Sequence, residues 1–274
     1  MSSVSKVPVG SALLAVESEG SGPVLVCLHA GVCDRRMWRP LAQRLRSEYR
    51  VVAYDRRGFG ESTSEDEVHS DVDDLLAVID GCAGSAPVIL VGASRGGALA
   101  IDLALARPER VSALVLMASA VSGDPDDAPV PDAIQKKVDA LAAAERSGDV
   151  DAVNALEVQV WLDGPLEREG RVGGALRELV LDMNGIALRH PALSQKLEPP
   201  PAFPRLEALM QPALVLWGDL DFPDRVALSE SLAARLPHAH AHVVQGTAHL
   251  PSLERPEECA SVLRAFLAEA LNRS

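Results

Sequence analysis

Residues 92–97, which read Gly-Ala-Ser-Arg-Gly-Gly, constrain the fold more than any other stretch of the sequence. The apolar run 88–91 predicts a strand before them, and the alanine- and leucine-rich run 98–106 predicts a helix after them. A serine at such a sharp turn has a sparsely populated backbone conformation, so its neighbours must be small. The turn holds the Ser94 hydroxyl above the end of a strand and beside a helix N-terminus. The G-x-S-x-G pattern alone also fits a serine in an ordinary loop.

Apolar runs that alternate with helical patterns extend over most of the chain. The continuous run 24–28 indicates a buried strand, and Val72, Leu75, Leu76 and Ile79 recur at the spacing of one helix face. Because crossovers between parallel strands are right-handed, this alternation predicts a doubly wound, mostly parallel α/β sheet with helices on both faces. Strands are predicted at 11–17, 24–28, 51–54, 88–91, 111–117, 213–217 and 239–244.

The alternation of strands and helices is interrupted between residues 122 and 204. No run in this stretch favours a strand, and three apolar patterns at helical spacing predict helices separated by glycine-containing breaks. Three consecutive prolines, 199–201, end the stretch. We therefore predict a helical cap of residues 122–204, inserted after the strand at 111–117 into an α/β core formed by residues 1–121 and 205–274.

Composition limits the partners that the chain could have. Its formal net charge of −13 repels phosphate backbones and anionic lipids, which disfavours nucleic acid and membrane partners. Residues 1–10 do not resemble a signal peptide, and no apolar run is long enough to span a membrane. The four cysteines form no C-x-x-C pair, so reduced thiols and a cytoplasmic location are expected. The dinucleotide fingerprint G-x-G-x-x-G is absent, and neither a cofactor nor a metal is expected.

Candidate partners for Ser94 follow two of the predicted strands. A serine hydroxyl becomes a good nucleophile only when a base removes its proton, and a carboxylate orients that base. Asp219 and Asp221 follow the strand that comes after the cap, and His249 follows the last strand. Because parallel strands end at the same edge of a sheet, these side chains are expected near Ser94. Either aspartate fits the role of the acid on this evidence.

Four further motifs resemble those of the α/β-hydrolase fold family, and the resemblance covers essentially the whole chain. The motif at 29–31 is similar to the family's oxyanion loop, although alanine replaces the usual first glycine, and the motif at 246–256 contains His249. The motifs are H-A-G at 29–31, D-R-R-G-F-G-E-S at 55–62, G-D-L-D at 218–221 and G-T-A-H-L-P-S-L-E-R-P at 246–256.

The resemblance assigns a role to each candidate residue. It implies a triad of Ser94 as nucleophile, His249 as base and Asp221 as acid. Asp221 is favoured because the family's carboxylate stands three residues after the glycine of its motif. The backbone N–H groups of Gly31 and Arg95 are then the oxyanion hole, where each donor contributes roughly 10²–10³ in rate.

The resemblance also implies a class of reaction. Serine at the sharp turn argues against haloalkane dehalogenases and epoxide hydrolases, relatives that carry aspartate there. Among capped relatives the pattern is similar to 3-oxoadipate enol-lactonases and related esterases, which implies hydrolysis of a small carboxylic ester or lactone through an acyl-enzyme. A C–C hydrolase of vinylogous diketones and a ligand-binding or receptor protein with little turnover stay open as alternatives. A small-molecule substrate is the expected partner, and a homo-oligomer is compatible with the sequence.

The substrate is expected to bind between the cap and the end of the sheet, where a cap excludes water and sets specificity. Of the candidate lining residues, Trp161 and Met183 would equally fit the core of the cap. The residues predicted to line this pocket are Trp161, Met183, Phe222 and Leu250.

Three arginines near the predicted site offer a second kind of contact. Arg95 directly follows the serine, and Arg35 and Arg36 follow the oxyanion loop. A guanidinium group binds a carboxylate well, so these arginines could hold a carboxylate of the substrate. The alternative is that they pair with the many acidic side chains of the chain itself.

Overall fold

The computed structural model describes residues 4–125 and 131–272, so residues 126–130 of the predicted cap lie outside the described residues. The described residues form an eight-stranded sheet with the order β1-β2-β4-β3-β5-β6-β7-β8. The strands are β1 (Val4–Val9), β2 (Ala12–Glu19), β3 (Val24–Leu28), β4 (Arg50–Tyr54), β5 (Val88–Ala93), β6 (Val111–Met117), β7 (Ala213–Gly218) and β8 (Ala239–Val244).

The sheet is parallel from β4 to β8 and antiparallel at its other edge. β3 pairs in parallel with both β4 and β5, and the parallel ladder continues through β6 and β7 to β8. β1 and β2 form a hairpin that joins β4 in the antiparallel direction. The predicted fold class is confirmed. β1 was absent from the predicted strands because its largely exposed side chains give no apolar run.

Helices cover both faces of the sheet, which explains why the central strands are almost uniformly apolar. Leucines of α1 and α9 pack on one face, and those of α2, α3 and α7 pack on the other. The helices are α1 (Arg39–Leu45), α2 (Asp71–Ala83), α3 (Arg95–Ala106), α4 (Asp132–Ser147), α5 (Val150–Val158), α6 (Gly174–Arg189), α7 (Pro223–Arg235), α8 (Pro251–Glu254) and α9 (Pro256–Asn272).

The described residues between β6 and β7 contain helices and turns but no strand. α4, α5 and α6 are followed by a 3₁₀ turn, Phe203–Ala208, and a π-helical turn, Gln159–Asp163, follows α5. α5 packs against both α4 and α6. The described part of this segment is therefore helical, and the cap with its boundaries 122–204 stays a prediction. In the part of the chain that the structure describes, every helix is too short or too polar to cross a membrane.

Candidate active site

The turn between β5 and α3 has the strained geometry that its sequence predicts. Ser94 has φ of 52°, in the left-handed region that non-glycine residues rarely adopt. A Cβ on Gly92 would lie 2.5 Å from the Gly96 carbonyl oxygen, and a Cβ on Gly96 would lie 2.1 Å from the Leu28 carbonyl oxygen. Larger residues at these positions would therefore displace the backbone of the turn. The close packing around the turn keeps Ser94, which directly precedes α3, in this strained conformation.

A histidine and a carboxylate meet at the neighbouring strand ends. His249 Nδ1 lies 2.6 Å from Asp221 Oδ2, and both side chains are almost fully buried. Because an ionised carboxylate only accepts hydrogen bonds, the Nδ1 atom carries the proton and Nε2 is left to accept one. Of the two aspartates considered from the sequence, Asp219 instead accepts a hydrogen bond from the Gly246 N–H at 2.6 Å. The structure therefore brings Asp221, and not Asp219, to the histidine.

Ser94 and His249 line the same two cavities, although they come from opposite halves of the chain. The smaller cavity has a volume of about 280 Å³ and the larger one about 660 Å³. Arg95 and Trp161 also line both of them. Within residues 4–125 and 131–272, no hydrogen bond joins the Ser94 hydroxyl to the His249 ring. Catalytic hydrogen bonds are often long in the absence of substrate and shorten in the substrate complex.

The loop after β3 is fixed by a buried histidine. His29 Nε2 accepts a hydrogen bond from the Arg56 N–H at 3.1 Å, and Nδ1 lies 2.8 Å from the Ala30 carbonyl oxygen, to which it donates. Burial, together with the Arg56 charge, holds the pKa of His29 well below its usual value. The ring is therefore neutral and supports the loop. Gly31 in this loop lines the smaller cavity, and a Cβ on Gly31 would lie 3.4 Å from Arg95 Cδ.

The predicted pocket residues separate into two pairs. The Trp161 ring lies 4.5 Å from the His249 ring and 4.7 Å from the Phe222 ring, measured between centroids. Trp161 lines both cavities and Phe222 lines the larger one. Met183 and Leu250 line neither cavity, because their apolar side chains are fully buried in the hydrophobic core.

The π-helical turn that follows α5 determines where Trp161 lies. Such turns add a residue to a helical turn and are frequent at functional sites. The Trp161 carbonyl oxygen accepts a hydrogen bond from the His249 N–H at 3.2 Å, so the turn contacts the histidine through its backbone as well as through the indole ring. Asp163 at the end of the turn is fully buried and accepts hydrogen bonds from Val172 N–H and Arg177. Sequence periodicity gave no sign of this turn.

Arg171 joins the helical segment between β6 and β7 to residues 245–250, the histidine loop, which contains His249. Its guanidinium donates to the carbonyl oxygens of Leu162, at 2.7 Å, and Gly246, at 3.0 Å. It also forms an ion pair of 2.6 Å with Glu254, whose side chain is only 5% exposed. The other carboxylate oxygen of Glu254 accepts the N–H of Ala248, the residue before the histidine, at 2.8 Å. The position of the histidine therefore depends on contacts from both the helical segment between β6 and β7 and the core.

The structure distinguishes the three arginines that the sequence suggested as carboxylate ligands. Arg35 is buried and bound to Asp55, and Arg36 is bound to Asp34 at 2.7 Å. These two guanidinium groups are occupied by the chain's own acids. Arg95 is exposed, lines both cavities and has no ion pair among the described residues.

The serine lies on a strained strand-to-helix turn and shares cavities with a histidine that is bound to a carboxylate. This arrangement is typical of hydrolases built on an α/β sheet. The sequence profile of the alpha/beta hydrolase family matches residues 25–262, and the chain belongs to this family.

Relatives of the chain include an esterase and an acetyltransferase component. A pimeloyl-[acyl-carrier protein] methyl ester esterase of Aliivibrio salmonicida is 26% identical over 263 residues, which cover 92% of this chain and 94% of that protein. The dihydrolipoyllysine-residue acetyltransferase component of the acetoin cleaving system of Pseudomonas putida is 31% identical over 270 residues, 96% of this chain and 68% of that protein.

Solved structures similar to this chain include esterases. A thermophilic esterase from Thermogutta terrifontis with malate bound has a TM-score of 0.77 and 25% identity, covering 98% of this chain and 99% of the other. The esterase RhEst1 from Rhodococcus has a TM-score of 0.74 and 25% identity, covering 98% of each chain. The predicted family and the predicted enzyme class, a hydrolase of ester bonds, are confirmed.

Proposed function

We propose that this protein is a serine esterase that cleaves a small carboxylic ester or lactone through an acyl-enzyme. The observation that supports the proposal most directly is the 2.6 Å contact between His249 Nδ1 and Asp221 Oδ2. This contact orients the imidazole so that Nε2 can accept the proton of a nucleophile. Ser94 lines the same cavities as that ring.

The chemistry requires two acyl transfers. His249 Nε2 takes the Ser94 proton while the serine oxygen forms a bond to the substrate carbonyl carbon. The resulting oxyanion accepts hydrogen bonds from the backbone N–H groups of Gly31 and Arg95. When the tetrahedral intermediate collapses, the C–O bond breaks and the alcohol leaves with the proton from His249. A water molecule, deprotonated by the same histidine, then attacks the carbonyl carbon of the acyl-enzyme. The bond between that carbon and the serine oxygen breaks, Ser94 regains its proton from His249, and the carboxylic acid is released.

The cap, proposed as residues 122–204, supplies the upper walls of both cavities. Trp161 excludes water from one side of the His249 ring, and Asp221 is covered as well, at 5% exposure. A low dielectric environment strengthens the hydrogen bonds on which proton transfer depends. We propose that a small-molecule substrate lies across Ser94, with its acyl and alcohol portions in different cavities.

Labelling and turnover together test the proposal. A fluorophosphonate probe should label the native protein but not Ser94→Ala, and the native protein should hydrolyse p-nitrophenyl esters. Simple methyl esters belong in the panel because a relative is named for a methyl ester. An enol-lactone and a vinylogous dienone distinguish lactonase and C–C hydrolase activity from esterase activity. Hydrolysis that survives in Ser94→Ala, or a native protein that binds these compounds without turnover, would contradict the proposal.

A further inference from the structure

The smaller cavity contains an acid that ester hydrolysis does not use. Glu157 of α5 lines this cavity together with Ser94 and His249. Its side chain is half-buried, and loss of water raises the pKa of its carboxyl above the usual value. A carboxylate placed in such surroundings destabilises the fold unless a partner compensates it.

A network in the cap fixes the orientation of this carboxylate. Glu157 Oε2 accepts a hydrogen bond from Asn184 Nδ2 at 2.8 Å. The same nitrogen donates to Asn154 Oδ1 at 3.0 Å, and Asn154 Nδ2 donates to the Leu181 carbonyl oxygen at 2.9 Å. Asn184 is only 2% exposed, so α5 and α6 hold the amide in place. The carboxylate is therefore held before any ligand arrives.

The charge of Glu157 has no close counterion. No lysine, arginine or histidine nitrogen lies within 4.0 Å of it among residues 4–125 and 131–272. Arg95, in the same cavity, favours the ionised form of Glu157, but the two groups form no ion pair. Glu157 Oε1 accepts no hydrogen bond from the described residues. One acceptor atom of a fixed carboxylate is thus available beside the nucleophile.

The larger cavity is lined by more apolar surface, although three further charged side chains also border it. Val138, Leu141 and Val160 contribute apolar side chains to it, and Phe222 adds an aromatic ring. Burial of the hydrocarbon portions of a substrate there stabilises the complex. A hydrogen-bond donor group is desolvated at a lower free-energy cost in the smaller cavity than in the larger one, because the Glu157 carboxylate can accept its hydrogen bond.

We propose that Glu157, oriented by Asn184, is a specificity-determining residue that accepts a hydrogen bond from a donor group of the substrate. The donor is a hydroxyl or an ammonium group on the portion of the ester that occupies the smaller cavity, and the apolar portion occupies the larger one. This inference rests on the proposed esterase function, because it assumes that an ester binds across Ser94.

Substrates of equal shape test the inference. Methyl butyrate, methyl 3-hydroxypropanoate and methyl 3-aminopropanoate differ only in a terminal methyl, hydroxyl or ammonium group on the acyl chain. Propyl acetate and 2-hydroxyethyl acetate make the same comparison on the alcohol side. For each ester, kcat/KM is measured by titration of the released acid, and each donor-bearing ester is compared with its methyl-terminated counterpart as a ratio. We expect the native protein to favour the donor in at least one series.

Two variants of Glu157 separate hydrogen bonding from charge. Glu157→Leu should lower the ratio for both donors by about ten- to hundredfold, as expected for loss of a hydrogen bond to a charged group. Glu157→Gln keeps an acceptor oxygen without the charge, so it should lower the ammonium ratio much more than the hydroxyl ratio. Glu178→Gln, an exposed residue of α6 outside both cavities, is the matched control and should leave every ratio unchanged.

The outcomes distinguish the inference from the proposed function. If the native protein and both Glu157 variants hydrolyse the methyl-terminated esters and show the same ratios, the inference is wrong and the esterase function stands. If Glu157→Leu slows all esters equally, the residue only supports the cavity or balances Arg95, and the inference is again wrong. A native protein that hydrolyses none of the esters contradicts both proposals.

Discussion

Replacing Arg171 by alanine tests whether the cap holds the histidine loop in place. The variant removes an ion pair of 2.6 Å whose side chains are 16% and 5% exposed, and it leaves Glu254 buried with a single backbone donor. Removing one partner of a buried pair costs about 3–5 kcal/mol, and the partial exposure of Arg171 favours the lower end. We expect the free energy of unfolding to fall by about 3 kcal/mol. For a chain of this size that corresponds to a decrease of about 6–12 °C in Tm.

Catalysis should suffer together with stability. Ala248 and His249 are held through Glu254 and the Trp161 carbonyl oxygen, and Arg171 fixes the positions of both of these partners. A displacement of about 1 Å in a catalytic group costs about 10²-fold, so kcat should fall by roughly ten- to hundredfold at a temperature where the variant is folded. KM should change less, since Arg171 lines neither cavity.

Arg189→Ala is the control, because Arg189 forms an exposed ion pair with Asp151 in the same cap. Such a pair contributes about 0–1 kcal/mol, so this variant should be close to the native protein in both measurements. Adding Glu254→Gln to Arg171→Ala should recover part of the lost stability, since it removes the uncompensated charge. Thermal and denaturant unfolding supply the free energies. If the two arginine variants lose the same small amount of stability, the cap does not hold the loop and the reasoning is refuted.

Two further outcomes follow from the site and its surroundings. Asp221→Asn should lower kcat by about 10⁴-fold, because it removes the carboxylate bound to the imidazole, whereas Asp219→Asn keeps an acceptor for its backbone partner and should lower kcat less than about tenfold; equal losses would contradict the assignment. Burial raises the pKa of Asp102 to about 6, so its protonated form stabilises the fold below about pH 4, and that contribution of about 3 kcal/mol is lost as the pH rises through 6. Asp102→Asn should abolish this slope in pH-dependent unfolding.

The features that could be predicted from sequence are those that local chemistry dictates. The strained turn at Ser94 needs small neighbours, and the continuous apolar strands need helices on both faces. Both requirements leave direct traces in the sequence. The edge strand β1 leaves no such trace, because most of its side chains are exposed and its stability comes from backbone pairing with β2.

Features that depend on contacts between distant residues could not be predicted in this way. Sequence alone does not distinguish Arg35, bound to Asp55, from Arg95, which has no ion pair among the described residues. The distinction requires knowing which acids the fold brings near each guanidinium group. Glu157 was overlooked for the same reason, because its neighbour Asn184 comes from the next described helix of the cap. In the sequence of α5, the position of Glu157 relative to the apolar residues does not distinguish it from an acid that faces solvent.

The contacts of the cap link specificity to reactivity in one structural unit. The π-helical turn after α5 presents Trp161 to the His249 ring, while the last turn of the same α5 presents Glu157 to the smaller cavity. A shift of α5 that moved the carboxylate would therefore also move the indole ring and the carbonyl oxygen bound to the histidine backbone. Changes of substrate that displace α5 should for this reason alter kcat as well as KM. A cap whose only role was to cover the site would alter KM alone.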